Sequence, residues 1–243
     1  PVTVFISKEG YMKKITAQSL RMSGEQKLKE GDSIILTVDT TNNSDLLFFT
    51  NKCQVYKSKA SDFADTKASV LGDYVPAKLQ MDEGETAVAM ISTKTYEGIV
   101  LFVFENGKVA KVPLNSYITK TNRKRLTNAY SDKAPLAAVG FSEEECEFLI
   151  TASSGRMLLL HTAAINLKTS RTTQGVAVMK LKKGQRVMSV SKYKDGTFSK
   201  PSRYRTRSLP ALGAMPDSDD TAQQLSFGNI IFKIILAFSN YLC

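Results

Sequence analysis

The chain has 243 residues, 42% hydrophobic and 23% charged, enough apolar material for a packed core and too much for a disordered segment. Its formal net charge of +10 and its pI near 9.4 point to a polyanionic partner, nucleic acid first and an acidic membrane surface second. Cys53, Cys146 and Cys243 lie far apart with no paired spacing, which indicates neither a disulfide framework nor a zinc site; His161 is the single histidine, which excludes a multi-histidine metal site, and a reduced, cytoplasmic setting fits.

The chain opens on Pro1 with no signal peptide and reads as a fragment of a longer protein. An apolar run from Val4 meets a turn at Lys8-Glu9-Gly10 and continues as a second strand, Tyr11 to Ile15. The same pattern returns three times: Leu47 to Thr50 before a turn at Cys53, Leu101 to Phe104 before Asn106-Gly107, and Leu149 to Ala152 before Ser154-Gly155. Glycine tolerates the positive φ that such hairpin turns demand. Cys53 stands in that slot in the second unit, so its turn is expected to differ in detail. Two residues after the slot come Met12, Val55, Val109 and Met157, and ten after it Leu20, Phe63, Tyr117 and Ile165, both expected in the core.

A second glycine leads into a further strand at Gly31, Gly84 and Gly184, with Ala134-Pro135 in its place in the third unit. The turn slots at 10, 53, 107 and 155 are spaced by 43, 54 and 48 residues, the period of four-stranded propeller-like blades. Units are expected at about 2–46, 47–98, 99–147 and 148–193, followed by a polar tail, 194–243. Long helices find no place; Ser19 to Lys29 and Ser142 to Glu147 could each form a turn or two.

No tryptophan is present, so the Trp-Asp signature of one propeller class is missing. The stretch Ile6 to Lys14 with its Gly-Tyr-Met-Lys-Lys, the element Leu28-Lys29-Glu30-Gly31-Asp32, Ala60-Ser61-Asp62-Phe63, Glu105 to Pro113, Thr173 to Met179 and Tyr204-Arg205-Thr206-Arg207 together resemble the β-pinwheel that forms the C-terminal domain of the A subunits of bacterial DNA gyrase and topoisomerase IV. The resemblance spans roughly residues 2 to 210. It implies an all-β, propeller-like disc of at least four blades, in a family that usually carries five or six. It implies a domain that binds duplex DNA along a basic rim and bends it. The partners it implies are duplex DNA, the topoisomerase B subunit through the catalytic core, and a second A subunit, with no membrane. It implies no cofactor in this chain, ATP and magnesium belonging elsewhere in the parent enzyme, and no catalytic residue, since the DNA-cleaving tyrosine of the family lies upstream. The glycine-rich basic motif of the gyrase A subunit is missing from Leu20 to Lys27, and Asn122 to Arg125 lacks its glycines, which favours a topoisomerase IV-like parent. The competing reading is a propeller-type protein-interaction scaffold without a DNA role.

The charge map is uneven. Residues 148–193 hold eight cations and no acid: Arg156, Lys168, Arg171, Lys180, Lys182, Lys183, Arg186 and Lys192. All but Lys192 are candidate phosphate contacts, which give affinity without base reading. Arg123, Lys124 and Arg125 are further candidates. Lys14, Lys57 and Lys111 stand four residues after the turn slot, and on equivalent outward positions they would form a ring of cations under a curved duplex; ordinary outward strand residues are the competing reading.

No phosphate-binding loop motif appears, His161 reads as structural or exposed, and Glu143-Glu144-Glu145 reads as an acidic surface loop before a metal cluster. The tail to Gln224 is expected to be extended or disordered, with acids at Asp217, Asp219 and Asp220. The apolar run Ile230 to Phe238 is too short and interrupted to span a bilayer and has no functional reading.

Overall fold

A computed structural model describes residues 1–119, 123–218 and 220. The apolar run Ile230 to Phe238 and Asp219 lie outside the described residues. Among the described residues two compact units interleave in sequence, one made of Pro1–Glu97 and Tyr117–Ala129, the other of Gly98–Ser116 and the described residues after Ala129.

The first unit holds two four-stranded antiparallel sheets. One contains β1 (Val2–Ser7), β2 (Tyr11–Thr16), β3 (Ile34–Thr40) and β6 (Asp73–Tyr74), in the order β3-β1-β2-β6. The other contains β4 (Asp45–Thr50), β5 (Val55–Lys59), β7 (Ala87–Thr93) and β10 (Arg125–Leu126), in the order β10-β5-β4-β7. In the second unit, β8 (Ile99–Phe104), β9 (Lys108–Pro113), β11 (Leu136–Ser142) and β14 (Val176–Ala177) form a sheet ordered β11-β8-β9-β14. Beside it in sequence come β12 (Glu147–Ala152), β13 (Met157–His161) and β15 (Val187–Lys192), ordered β13-β12-β15. Each repeat therefore supplies a hairpin and a third strand to its own sheet, one strand fewer than the four-stranded blade expected from the spacing.

All four hairpins close through one turn. The amides of Gly10, Cys53, Gly107 and Gly155 donate to the carbonyls of Ser7, Thr50, Phe104 and Ala152 at 2.9–3.3 Å. Cys53 adopts φ +55, beside φ +86, +80 and +80 for the glycines, so the turn expected to differ keeps its shape. The second glycine slot also holds: Gly31, Gly84 and Gly184 lie at φ +75, +69 and +82.

The fourth strand of each four-stranded sheet comes from the following repeat. After its hairpin each repeat makes a short turn, Ala60–Asp62, Leu114–Tyr117 or Thr162–Ala164 in 3-10 form, and then runs back along the preceding sheet. There it adds a two-residue strand: β6 opposite Tyr11 and Met12, β10 opposite Val55 and Tyr56, β14 opposite Lys108 and Val109. The start of the polar tail runs along the same edge of the last sheet, which has three strands, and meets it through isolated bridges only. It turns at Pro201–Arg203, bridges Leu159 through Arg205, and bridges Met157 through Ala214. Residues 198–214, part of the tail expected to be extended or disordered, are held in place, with Phe198 and Tyr204 buried against Leu149, Met157 and Leu159.

Core residues follow the repeat. Met12, Val55, Val109, Met157, Phe63, Tyr117 and Ile165 are all buried, while Leu20 is half-buried. A short helix at Ala17–Arg21, capped by the Thr16 side chain on the Ser19 amide, overlaps only the start of the stretch Ser19 to Lys29 expected to turn. Residues 143–146 form no helix, and a single helical turn appears instead at Val75–Lys78, where Pro76 suits the first turn.

Candidate nucleic-acid interface

The repeated lysines do not form an exposed ring. Strand β2 is buried on both faces from Met12 to Ile15, because the returning segment of the next repeat covers the side that alternation would leave to solvent. Lys14 is 4% exposed; its Nζ sits 3.0 Å from Asp65 Oδ1 and donates to Asn42 Oδ1 at 2.7 Å. Lys111 is 5% exposed and donates to Glu145 and to the Thr162 carbonyl. Burial would raise the Glu145 carboxyl, but Lys111 and the Thr162 hydroxyl outweigh it and hold it below the usual glutamate value. Lys57 is half-buried, with Nζ 3.0 Å from Asp45 Oδ2. The expectation of a phosphate-facing ring is corrected for these lysines: each is spent on a carboxylate inside its blade.

Arg125 is similarly engaged. On β10 its guanidinium forks onto both Asp82 oxygens at 3.1 and 2.6 Å, and its Nε donates to Gln54 Oε1. Arg125 and Gln54 together hold the Asp82 carboxyl below its ordinary value. Beside them Glu85, buried, accepts from Thr50 and from Tyr56 Oη, and burial followed by Glu85 pushes the Tyr56 phenol up to about 12. Arg156 and Arg171 are half-buried and donate to the carbonyls of Gly213 and Ser116 at 2.9 and 3.0 Å, ordering returning segments.

The remaining candidates differ. Lys168, Lys180, Lys182, Lys183 and Arg186 are exposed, and none forms an ion pair among the described residues. Lys182 and Lys183 occupy the second glycine turn of the last blade. That turn is closed by the Gln185 amide on the Lys182 carbonyl at 2.9 Å and by the Lys182 amide on Gln185 Oε1 at 3.0 Å. The same turn in the second blade carries Asp82 and Glu83, so one scaffold presents opposite charges in different blades. Arg123 and Lys124 are also exposed.

Of the residues read as structural or solvated, His161 is exposed, and its Nδ1 caps the turn that follows by accepting from the Ala163 amide at 3.2 Å. Glu145 of the acidic triplet is the partner of Lys111. Asp220 of the tail is buried and accepts from Tyr204 Oη at 2.5 Å and from the Ser199 amide at 3.0 Å. Lys13 is a structural residue that the sequence does not announce. It is fully buried, and its Nζ donates to the carbonyls of Lys27 and Ala68 and to Gln26 Oε1 at 2.6, 2.9 and 3.2 Å; burial, with Lys27 nearby, lowers its pKa. Nothing local in the sequence distinguishes it from Lys14.

Residues 3–38, 44–94 and 147–194, together more than half of the chain, match the family model described as DNA gyrase C-terminal domain, beta-propeller. The chain belongs to this family. The propeller-like, all-β class expected from the repeat is therefore the family's class as well. The A subunit of the DNA gyrase of Mycoplasma genitalium is 26% identical over 205 residues, covering 81% of this chain and 24% of that protein. The A subunit of the DNA topoisomerase 4 of Staphylococcus aureus is 25% identical over 187 residues, covering 74% of this chain and 23% of that protein. The chain thus spans about a quarter of the length of these relatives. The C-terminal domain of a DNA topoisomerase IV superposes with a TM-score of 0.69 at 24% identity, covering 80% of this chain and 61% of that one. The Escherichia coli ParC C-terminal domain does so with 0.66 at 14%, covering 89% and 94%. Among the described residues no helix is long and apolar enough to cross a membrane.

Proposed function

We propose that this gyrase C-terminal-family domain binds and bends duplex DNA without reading its sequence, as part of the A subunit of a type II topoisomerase. One observation carries the reading: the cations of the last blade, Lys168, Lys180, Lys182, Lys183 and Arg186, are exposed and unpaired with carboxylates among the described residues, whereas Lys14, Lys57 and Lys111 are neutralised. Exposed cations that need not first break an internal ion pair are the ones that release counterions from DNA at least cost. Smooth bending of a short duplex costs on the order of 1–6 kcal/mol, so several such cations along the path are required. The parent enzyme would contain two A subunits together with its B subunits, in the cytoplasm.

A topoisomerase IV-like parent is the finer reading. Its support is that Leu20 to Lys27, a helix end and loop here, contains neither paired arginines nor a run of glycines. Band shifts with linear duplex over a salt series test the main proposal. Binding at low salt that is lost when Lys180, Lys182, Lys183 and Arg186 are changed to Glu supports it; no binding at low salt refutes it and leaves a protein-interaction scaffold. Ligation of nicked circles on the domain reads the bend. A shift in linking number as large as a full wrap would overturn the topoisomerase IV-like reading.

A further inference from the structure

The second blade carries a concave recess lined by cations. Behind β5 a recess of about 260 Å³ is lined by Lys57, Lys59, Arg123 and Lys124. A second recess of about 400 Å³ adjoins it through the shared Lys57, Ser58, Asp62 and Lys124, and adds Lys78. Two carboxylates face the first recess, and both are paired with cations or donors, although Asp45 Oδ1, close to Lys59 Nζ, is itself buried without a well-directed hydrogen bond. Asp45 lies 3.0 Å from Lys57 Nζ and 2.6 Å from Lys59 Nζ and accepts from Tyr96 Oη at 2.7 Å. Asp62 accepts from the Ser58 hydroxyl and the Lys59 amide, both at 2.9 Å. Four cations against two carboxylates leave an excess of positive charge in a confined space. Arg123 and Lys124, both exposed, form no ion pair among the described residues.

The lining of the recess also contains an unsatisfied polar atom. Thr119 lines the recess, and the Thr119 hydroxyl oxygen is buried without any hydrogen-bond partner. Buried hydroxyls are nearly always satisfied, and an orphan one beside unpaired cations is a donor awaiting an acceptor. The ligand that matches is compact, carries at least two negative charges and offers several acceptor oxygens. A duplex presents its phosphates along a convex cylinder, whereas a linear chain of two or three phosphoryl groups fits an indentation of this size.

We propose that the recess binds a compact oligophosphate, either free or as the phosphate chain of a nucleotide. Lys124 and Arg123 clamp the charge, and Thr119 donates to a phosphoryl oxygen. The site does not depend on the DNA-binding proposal, because its residues lie on the second blade and the test uses no DNA.

The experiment is calorimetric titration of the 243-residue chain at low salt with inorganic triphosphate, and in a second arm with ATP, both without divalent metal. Saturable binding to one site is expected. Thr119→Val and Lys124→Gln should each weaken it about tenfold, the value of one charge-assisted or buried hydrogen bond. Lys182→Gln with Lys183→Gln on the last blade should leave it unchanged. Equal affinity for the two probes assigns the free oligophosphate, and tighter ATP assigns a nucleotide. Absence of saturable binding overturns the proposal. So does binding that survives both second-blade changes, or that falls equally with the last-blade pair, since either result describes diffuse attraction to a basic protein.

Discussion

Neutralising the two classes of cation should separate them in one measurement. Changing Lys180, Lys182, Lys183 and Arg186 together to Gln removes four exposed charges from a turn and a strand start whose backbone is fixed by Gln185 and Ser153. Removing one cation from a phosphate should lower the slope of log K against log salt by about 0.9, so removing four lowers it by about 3.6. Between about 50 and 200 mM salt the wild-type affinity should then fall by about two orders of magnitude more than that of the variant. Lys14→Met and Lys111→Met should leave the slope where it is, since both ammonium groups are buried against carboxylates. The assay is fluorescence anisotropy of a labelled linear duplex across the salt series, with thermal melting of every variant to verify the fold. An unchanged slope in the quadruple variant, or an equal drop in Lys14→Met and Lys111→Met variants that stay folded, would refute the assignment of the interface to exposed rather than recurring lysines.

Glycine substitutions should divide by space rather than by φ. At Gly175 an added Cβ would lie 2.1 Å from the Val109 carbonyl oxygen, and Gly175→Ala should cost more than about 2 kcal/mol in chemical denaturation. Gly184, with a similar φ of +82 and nothing within 4 Å, should lose only about 1 kcal/mol on the same change. Cys53→Gly should raise the melting temperature, since it relieves a left-handed β-carbon at φ +55 worth about 1 kcal/mol. Acid should loosen the last blade. Arg205 holds the Glu147 carboxyl below its ordinary value, through two hydrogen bonds at 2.7 Å. A depressed folded-state pKa gives stability that is complete above the unfolded value and disappears as pH falls through the folded one, so melts should drop over that acidic window and Glu147→Gln should flatten the drop.

The hairpins were legible because their signals are local. Glycines at 10, 107 and 155 answer a demand for positive φ, and apolar runs flank each of them. Cys53 shows the limit of that logic, since the surrounding strands impose the turn on a residue that does not favour it. The exchanged strands were not legible. Asp73–Tyr74, Arg125–Leu126 and Val176–Ala177 are two residues long and take their conformation from the partner edge, not from their own propensity. The one trace they leave is glycine before three of the four exchanged segments, Gly72, Gly175 and Gly213. There an added Cβ would meet the carbonyls of Met12, Val109 and Met157 at 2.1–2.6 Å.

That exchange also explains why the recurring lysines misled. Alternation along a strand predicts an outward face only where nothing covers it. In β2 and β9 the returning segment lies along the outer edge, bonded through Thr66 to Lys14 and through Lys168 to Lys111. A lysine at that position is therefore enclosed, and the sequence supplies it with an acid on a nearby loop, Asp65 in one case and Glu145 in the other. In the last blade the position is Leu159, and no carboxylate is required. The charge that varies between blades sits instead on the second glycine turn, where the Cβ of Gly31, Gly84 or Gly184 would meet nothing. The charge on these turns differs from blade to blade: Asp82 of the second blade is held by Arg125 and Gln54, whereas Lys182 and Lys183 of the last blade are exposed, so one backbone plan carries an internal ion pair in one blade and the proposed polyanion interface in the other.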